Sequence, residues 1–103
     1  KLLLCGGDMG FASAITYDFE VFSAAQQRWL EVSSVSNFET FQSNRMKLRF
    51  KTDKGEMRYA HTLNGSALAL ARIVASILEN HQTSDGIRIP LAIQSYFGKE
   101  MIS

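Results

Sequence analysis

The sequence changes period inside twelve residues, His61 to Arg72 (H-T-L-N-G-S-A-L-A-L-A-R), and that change dictates which kinds of element can meet there. From Tyr59 the pattern reads as a strand. Gly65 and Ser66 break it, and an apolar helical pattern follows, with Leu70, Ile73, Val74, Ile77 and Leu78 at the spacings of one buried stripe that would anchor a helix to a sheet. At about 100° per residue, Gly65, Ala69 and Arg72 share a different face, continued by Ser76 and Glu79. Small residues at a helix start let a ligand approach free backbone N–H groups and the positive end of the helix dipole. An arginine one turn deeper can grip a phosphate through two parallel hydrogen bonds. A plainer reading is also open, in which the alanines simply favour helix and Arg72 is a solvated surface residue.

The rest of the chain supplies strands. Leu2 to Leu4 reads as the tail of an apolar strand, broken by Gly6-Gly7-Asp8. Residues 15 to 22 alternate, with Ile15, Tyr17, Phe19 and Val21 on one face and Thr16, Asp18 and Glu20 on the other. Residues 29 to 36 form a second strand, paired with the first through a turn near Ala24 to Gln27. Asn37 to Asn44 reads as a short helix capped by Asn37. A third strand sets Met46, Leu48 and Phe50 against Lys47, Arg49 and Lys51, turns at Asp53-Lys54-Gly55 and returns through Met57, Tyr59 and His61. A long helix over about 66 to 80 follows, and Ile89-Pro90 leads into a short helix that stops near Gly98. The sum is an α+β chain: an antiparallel β-sheet flanked by helices.

Composition narrows the class. With 46% hydrophobic residues, one proline and a net charge of +1, the chain is neither disordered nor strongly basic nor collagen-like. Its 103 residues suit one domain at most. No run approaches the roughly 20 apolar residues of a membrane span, and the opening Lys-Leu-Leu-Leu-Cys is too short for a signal-peptide core, so the reading is cytoplasmic. A single cysteine, Cys5, excludes an internal disulfide and, with only His61 and His81 beside it, argues against zinc; it reads as a small buried hydrophobe.

Two further clusters carry chemistry. Glu31 stands with Ser33 and Ser34, and a carboxylate beside hydroxyls suits a hard cation such as magnesium, held between one carboxylate and substrate phosphates. In a regular strand Glu31 and Ser34 point to opposite faces, so a ligand using both requires a local bulge or twist. The alternative is a solvated strand-end glutamate. Thr62, Asn64 and Ser66 fall on one side of an extended segment and could face one small polar ligand, although Asn-Gly-Ser also suits a plain turn and helix cap. Asp18 and Glu20 read as a solvated sheet face rather than an acid and base, and Lys47, Arg49 and Lys51 as a solvated basic face without interleaved aromatics. His61, on the face of Met57 and Tyr59, reads as a half-buried histidine.

The series G-D-M-G-F at 7 to 11, T-Y-D-F-E at 16 to 20, E-V-S-S-V-S-N-F at 31 to 38, F-Q-S-N-R at 41 to 45 and H-T-L-N-G-S at 61 to 66 resembles the C-terminal part of the catalytic domain of bacterial seryl-tRNA synthetases. The closing I-L-E-N-H-Q-T with G-I-R-I-P fits the same pattern, so the resemblance covers nearly all of residues 1–103. It implies the class II synthetase fold, activation of L-serine with ATP and transfer to tRNA(Ser). It also implies that Arg72, the catalytic arginine of the third class II motif, grips the ATP tail. Glu31 and Ser34 would bind ATP and its magnesium, Val32 and Ser33 would lie along the nucleotide, and Asn64, Ser66 and Thr62 would face the serine. The family's tRNA-binding N-terminal arm, its dimer motif and a further ATP and serine motif do not occur in these residues, so the segment alone is expected to be inactive and the parent a homodimer. Ala67 and Ala71 stand where many members have glycine, and Ile15 where a basic residue is frequent. The alternatives are a synthetase-like ligase charging a carrier protein and a non-catalytic module of the same descent.

Overall fold

The structure, a computed structural model, describes residues 1–103. In chain order the elements are β1 (Leu2–Leu3), β2 (Ile15–Ser23), β3 (Arg28–Glu39), α1 (Phe41–Met46), β4 (Arg49–Lys51), β5 (Met57–Tyr59), β6 (Thr62–Gly65), α2 (Leu70–Asn80), β7 (Gln82–Thr83), β8 (Gly86–Arg88), α3 (Leu91–Phe97) and β9 (Met101–Ile102). They make a four-stranded sheet ordered β1-β2-β3-β6, a β4-β5 hairpin and a three-stranded sheet ordered β7-β8-β9. Every registered pair is antiparallel, so the α+β expectation holds. The chain divides into unit 1, Lys1–Phe19 with Ser33–Ala67, and unit 2, Glu20–Val32 with Leu68–Ser103.

In unit 1 the alternation of β2 is present, but its polar side is the buried one. Thr16 and Asp18 are 4% and 7% exposed, whereas Phe19 is 45% exposed. Burial of Thr16 is tolerable because its hydroxyl lies 2.7 Å from that of Ser36 and 3.3 Å from that of Ser13, so the polar groups satisfy one another. Asp18 corrects the solvated-face expectation: its Oδ1 is buried and has no hydrogen-bond partner within the chain. Cys5 is also corrected, being exposed.

The strand expected to stop at Ser36 runs on to Glu39, and the helix expected at Asn37 begins at Phe41. Asn37 caps no helix. Its Oδ1 accepts the N–H of Glu39 at 2.9 Å, closing a small turn inside the register shift at Asn37–Glu39, where Glu39 has φ 45°. That bulge releases the chain from β3 into α1, which is anchored by the fully buried Ser43. Lys47, at φ 58°, ends α1, so Met46 and Leu48 lie outside β4. Arg49 stands opposite Tyr59 and its guanidinium sits over that ring at 4.7 Å, placing an aromatic on the basic face after all. His61 lies outside β5 and is exposed, not half-buried.

In unit 2 helix α2 starts at Leu70 and not near Ser66. Residues 66–69 are neither helix nor strand, and the N–H of Ala69, just before α2, is donated to the carbonyl of Val32 at 2.7 Å and so is tied to β3 before the helix begins. The anticipated stripe is not buried: Leu70, Val74 and Leu78 are 70%, 55% and 38% exposed, and only Ile73 and Ile77 are half-buried. The face turned to the β2–β3 hairpin instead carries small and charged residues, with Ile77 at its border beside Val21, Phe22 and Trp29. Ala71, Arg72, Ala75, Ser76 and Glu79 line a cavity of 190 Å³ with Val21, Ser23 and Leu30. Alanine and serine leave room there for Glu79 to accept the Ser23 hydroxyl at 2.7 Å and the Ala25 N–H at 3.3 Å. Ala71 borders that open space, so its methyl does not crowd the helix. The β7-β8-β9 sheet was not anticipated. Its turn is Thr83-Ser84-Asp85-Gly86, and Gly86 has φ 140° with Ile102 O only 2.2 Å from where a Cβ would stand, which requires glycine. Helix α3 leaves Pro90 and ends at Gly98 as expected.

Candidate functional site

In unit 2, β3 carries Glu31 exposed and Val32 buried at 7%, and α2 carries Arg72 in its first turn. Arg72 is therefore nearer the helix start than the sequence pattern placed it. One guanidinium N–H of Arg72 is donated to the main-chain carbonyl of Glu31, so the structure brings these two predicted residues together. The acceptor is a neutral carbonyl and not a carboxylate, so this bond orients the guanidinium without cancelling its charge.

In unit 1 the predicted residues form two groups. Ser33, Ser34 and Ser66 make the first: Ser66 N–H is donated to Ser34 O at 3.0 Å, Ser34 N–H to Ser66 Oγ at 3.1 Å, and Ser33 Oγ–H to Ser66 O at 2.6 Å. Gly65 permits this approach, since a Cβ on it would meet Val35 Cγ2 at 3.1 Å. Gly65 is thus the last residue of β6 and not its breaker. Val32 and Ser33 are consecutive yet 7% and 8% exposed, so the in-and-out alternation of β3 fails between Glu31 and Ser34. The register shift in the pairing of β3 with β6 lies further on, at Asn37–Glu39.

Thr62 and Asn64 make the second group, on one side of β6 as the spacing requires. Both are donors to one atom: Thr62 Oγ1 lies 2.7 Å and Asn64 Nδ2 2.8 Å from Gln42 Oε1. Ser66 is not part of this cluster. Gln42 stood in the F-Q-S-N-R stretch without an assigned role, and its only sequence signal was a polar residue within that stretch and within the short helix expected over 37–44.

No set of three His, Cys, Asp or Glu side chains gathers to hold a metal by itself. A magnesium held largely by substrate phosphates needs less: Glu31, exposed in unit 2, carries a carboxylate and Ser34, in unit 1, a hydroxyl, and each is an oxygen ligand of the kind such a cation takes.

A protein-family profile described as "tRNA synthetase class II core domain (G, H, P, S and T)" matches residues 1–81. The chain belongs to this class II synthetase family. Among its relatives, the serine–tRNA ligase of Bordetella petrii is 56% identical over 98 residues, 94% of this chain and 22% of the relative. That of Gemmatimonas aurantiaca is 55% identical over 99% of this chain and 24% of the relative. Among solved structures, the seryl-tRNA synthetase of Pyrococcus horikoshii complexed with ATP superposes with a TM-score of 0.85 at 37% identity, covering 98% of this chain and 24% of that one. The cytoplasmic serine–tRNA ligase of Naegleria fowleri in complex with AMP gives 0.83 at 27% identity, over the same shares. This synthetase segment therefore spans about a quarter of the length of the relatives it matches. No helix in it is long and apolar enough to cross a membrane.

Proposed function

We propose that residues 1–103 are the C-terminal part of the catalytic domain of a serine–tRNA ligase, a cytoplasmic homodimer that binds tRNA(Ser) through an arm outside these residues. The observation that carries this reading is the identity of about 55% to serine–tRNA ligases over nearly the whole chain, with Arg72, Glu31, Ser34, Asn64 and Ser66 all present. In the proposed reaction the serine carboxylate attacks the α-phosphorus of ATP, the bond to the departing pyrophosphate oxygen breaks, and seryl-adenylate forms. The seryl group then passes to the terminal ribose of the tRNA and AMP leaves. No covalent enzyme nucleophile is needed, so the protein's work is to position reactants and meet developing phosphate charge.

Within that reaction Arg72 is assigned to the ATP phosphates. Its bond to a neutral carbonyl leaves a full positive charge for them. Val32, Ser33 and Ser34 are assigned to the nucleotide, and Thr62, Asn64 and Ser66 to the amino acid. Glu31 and Ser34 would hold magnesium, which supplies charge neutralisation on the phosphates when bound. The test is ATP–pyrophosphate exchange by the full-length chain. Exchange that strongly prefers serine to alanine is expected, with none from residues 1–103 alone. Exchange indifferent to the hydroxyl, or absent from the full-length chain, overturns the reading.

A further inference from the structure

Among the residues without an assigned role, Gln42 holds the most telling position. We infer that Gln42 is a positioning residue for recognition of the amino acid hydroxyl, acting through Thr62 and Asn64. The inference rests on the serine–tRNA ligase reading above. Its basis is hydrogen-bond polarity. Gln42 Oε1 accepts from Thr62 Oγ1–H at 2.7 Å and from Asn64 Nδ2–H at 2.8 Å. A threonine hydroxyl has one proton, so once it is given to Gln42 the oxygen can only accept. The Asn64 amide, fixed with its nitrogen toward Gln42, turns its Oδ1 the other way, again as an acceptor. One glutamine oxygen thus sets two acceptors on the same side of β6.

The single proton of a neutral O–H can be donated to one of these two acceptors, whose lone pairs are held in place. An ammonium calls for a carboxylate or for more oxygens to offset its desolvation. An analogue without the hydroxyl leaves that acceptor unpaired, which is how a hydrogen-bonding pocket discriminates strongly. Freed of Gln42, Thr62 and Asn64 would rotate among alternatives that include donors, and the discrimination would fall. The glutamine is well placed for this task. Its neighbour Ser43 is fully buried, with Oγ–H donated to Thr40 O at 3.1 Å, so the backbone that carries Gln42 is fixed.

The experiment is ATP–pyrophosphate exchange with serine and with alanine, in the full-length ligase and two variants. Gln42→Met keeps length and removes both bonds. Its KM for serine is expected to rise roughly tenfold to a hundredfold, with the KM for ATP and the weak use of alanine unmoved, so serine-over-alanine selectivity falls by the same factor. Gln42→Glu keeps the accepting oxygen and is expected to restore most of that selectivity, which a mere packing role would not require. Equal losses for serine and alanine, a parallel rise in the KM for ATP, or a Gln42→Glu variant as impaired as Gln42→Met would each overturn the inference. A wild-type chain without serine-dependent exchange would instead overturn the ligase reading itself.

Discussion

In unit 1 the Oε1 of Gln42 takes hydrogen bonds from Thr62 and Asn64, and in unit 2 the Oε2 of Glu79 takes them from Ser23 and Ala25. Each is one oxygen serving two donors, but the donors differ. Gln42 is neutral and orients two side chains that keep accepting oxygens free for a ligand. Glu79 is charged, and its Oε2 takes up a side-chain hydroxyl proton and a main-chain N–H of a turn, so both of its partners are spent on holding the chain. The contrast separates a network that presents chemistry from one that holds backbone. Arg72 stands between the two cases, since its bond to the Glu31 carbonyl orients it and yet spends none of its charge.

The largest effect expected is at Arg72. If its role is to meet phosphate charge, Arg72→Ala should lower kcat for serine-dependent pyrophosphate exchange by roughly a hundredfold to a thousandfold, about 3 to 4 kcal/mol of transition-state stabilisation. Arg72→Lys should recover only part, because an ammonium lacks the planar fork. The comparison breaks if Arg72→Ala lowers the melting temperature of the full-length chain while leaving kcat intact. Arg72 would then belong with Glu79, as a holder of backbone.

The next effect is on stability. Ser23 is 2% exposed, and Glu79→Ala removes the acceptor of its hydroxyl proton together with the acceptor of the Ala25 N–H, although Ser23 Oγ still receives the Gln26 N–H at 3.2 Å. The cost expected is about 1 to 2 kcal/mol, seen as faster amide exchange confined to the Ala24–Gln27 turn and its flanking strands. Glu79→Gln should cost less, because one carbonyl oxygen remains to accept. A change in serine selectivity without a change in exchange rates would put Glu79 in the same class as Gln42.

Much of this arrangement was readable beforehand, for stated physical reasons. Alternation placed β2 and the Thr62–Asn64 side of β6, and the Ala24–Gln27 and Asp53–Gly55 turns were visible in their residue types. Periodicity misled where a sequence carries two faces of comparable width. On α2 the apolar side chains of Leu70, Val74 and Leu78 are far larger than those of Ala71, Ala75 and Ser76, yet the latter face lies toward the hairpin, where small side chains leave room for the bonds of Glu79. The start of α2 was misplaced because Ala69 is tied to β3 by its backbone bond to Val32, a long-range bond that no propensity reports. Gln42 was missed for a similar reason. Its partners lie 20 and 22 residues away, and only the bulge at Asn37–Glu39 brings the chain back over β6.

The smallest expected effect tests a third kind of bond, one made at the open surface. Arg49 donates an N–H to the Tyr59 hydroxyl at 2.8 Å, and this bond, more than the nearby charges of Arg49 and Lys47, holds the phenol below its usual value of 10.0. A depressed pKa favours the phenolate in the folded state. The linkage therefore adds nothing to stability at neutral pH, appears as pH rises through the folded value, and is complete only above the unfolded one. Because the pair is exposed, solvent screens it and the contribution stays small. Ultraviolet titration of the phenolate, taken as the difference from a Tyr59→Phe variant, should show ionisation at lower pH in the wild type than in Arg49→Met. An unchanged midpoint would mean that this bond does not hold in solution. A bond that shifts a titration while leaving neutral-pH stability untouched would mark the lower bound of the series, since it neither orients a ligand group as Gln42 does nor fixes a turn as Glu79 does.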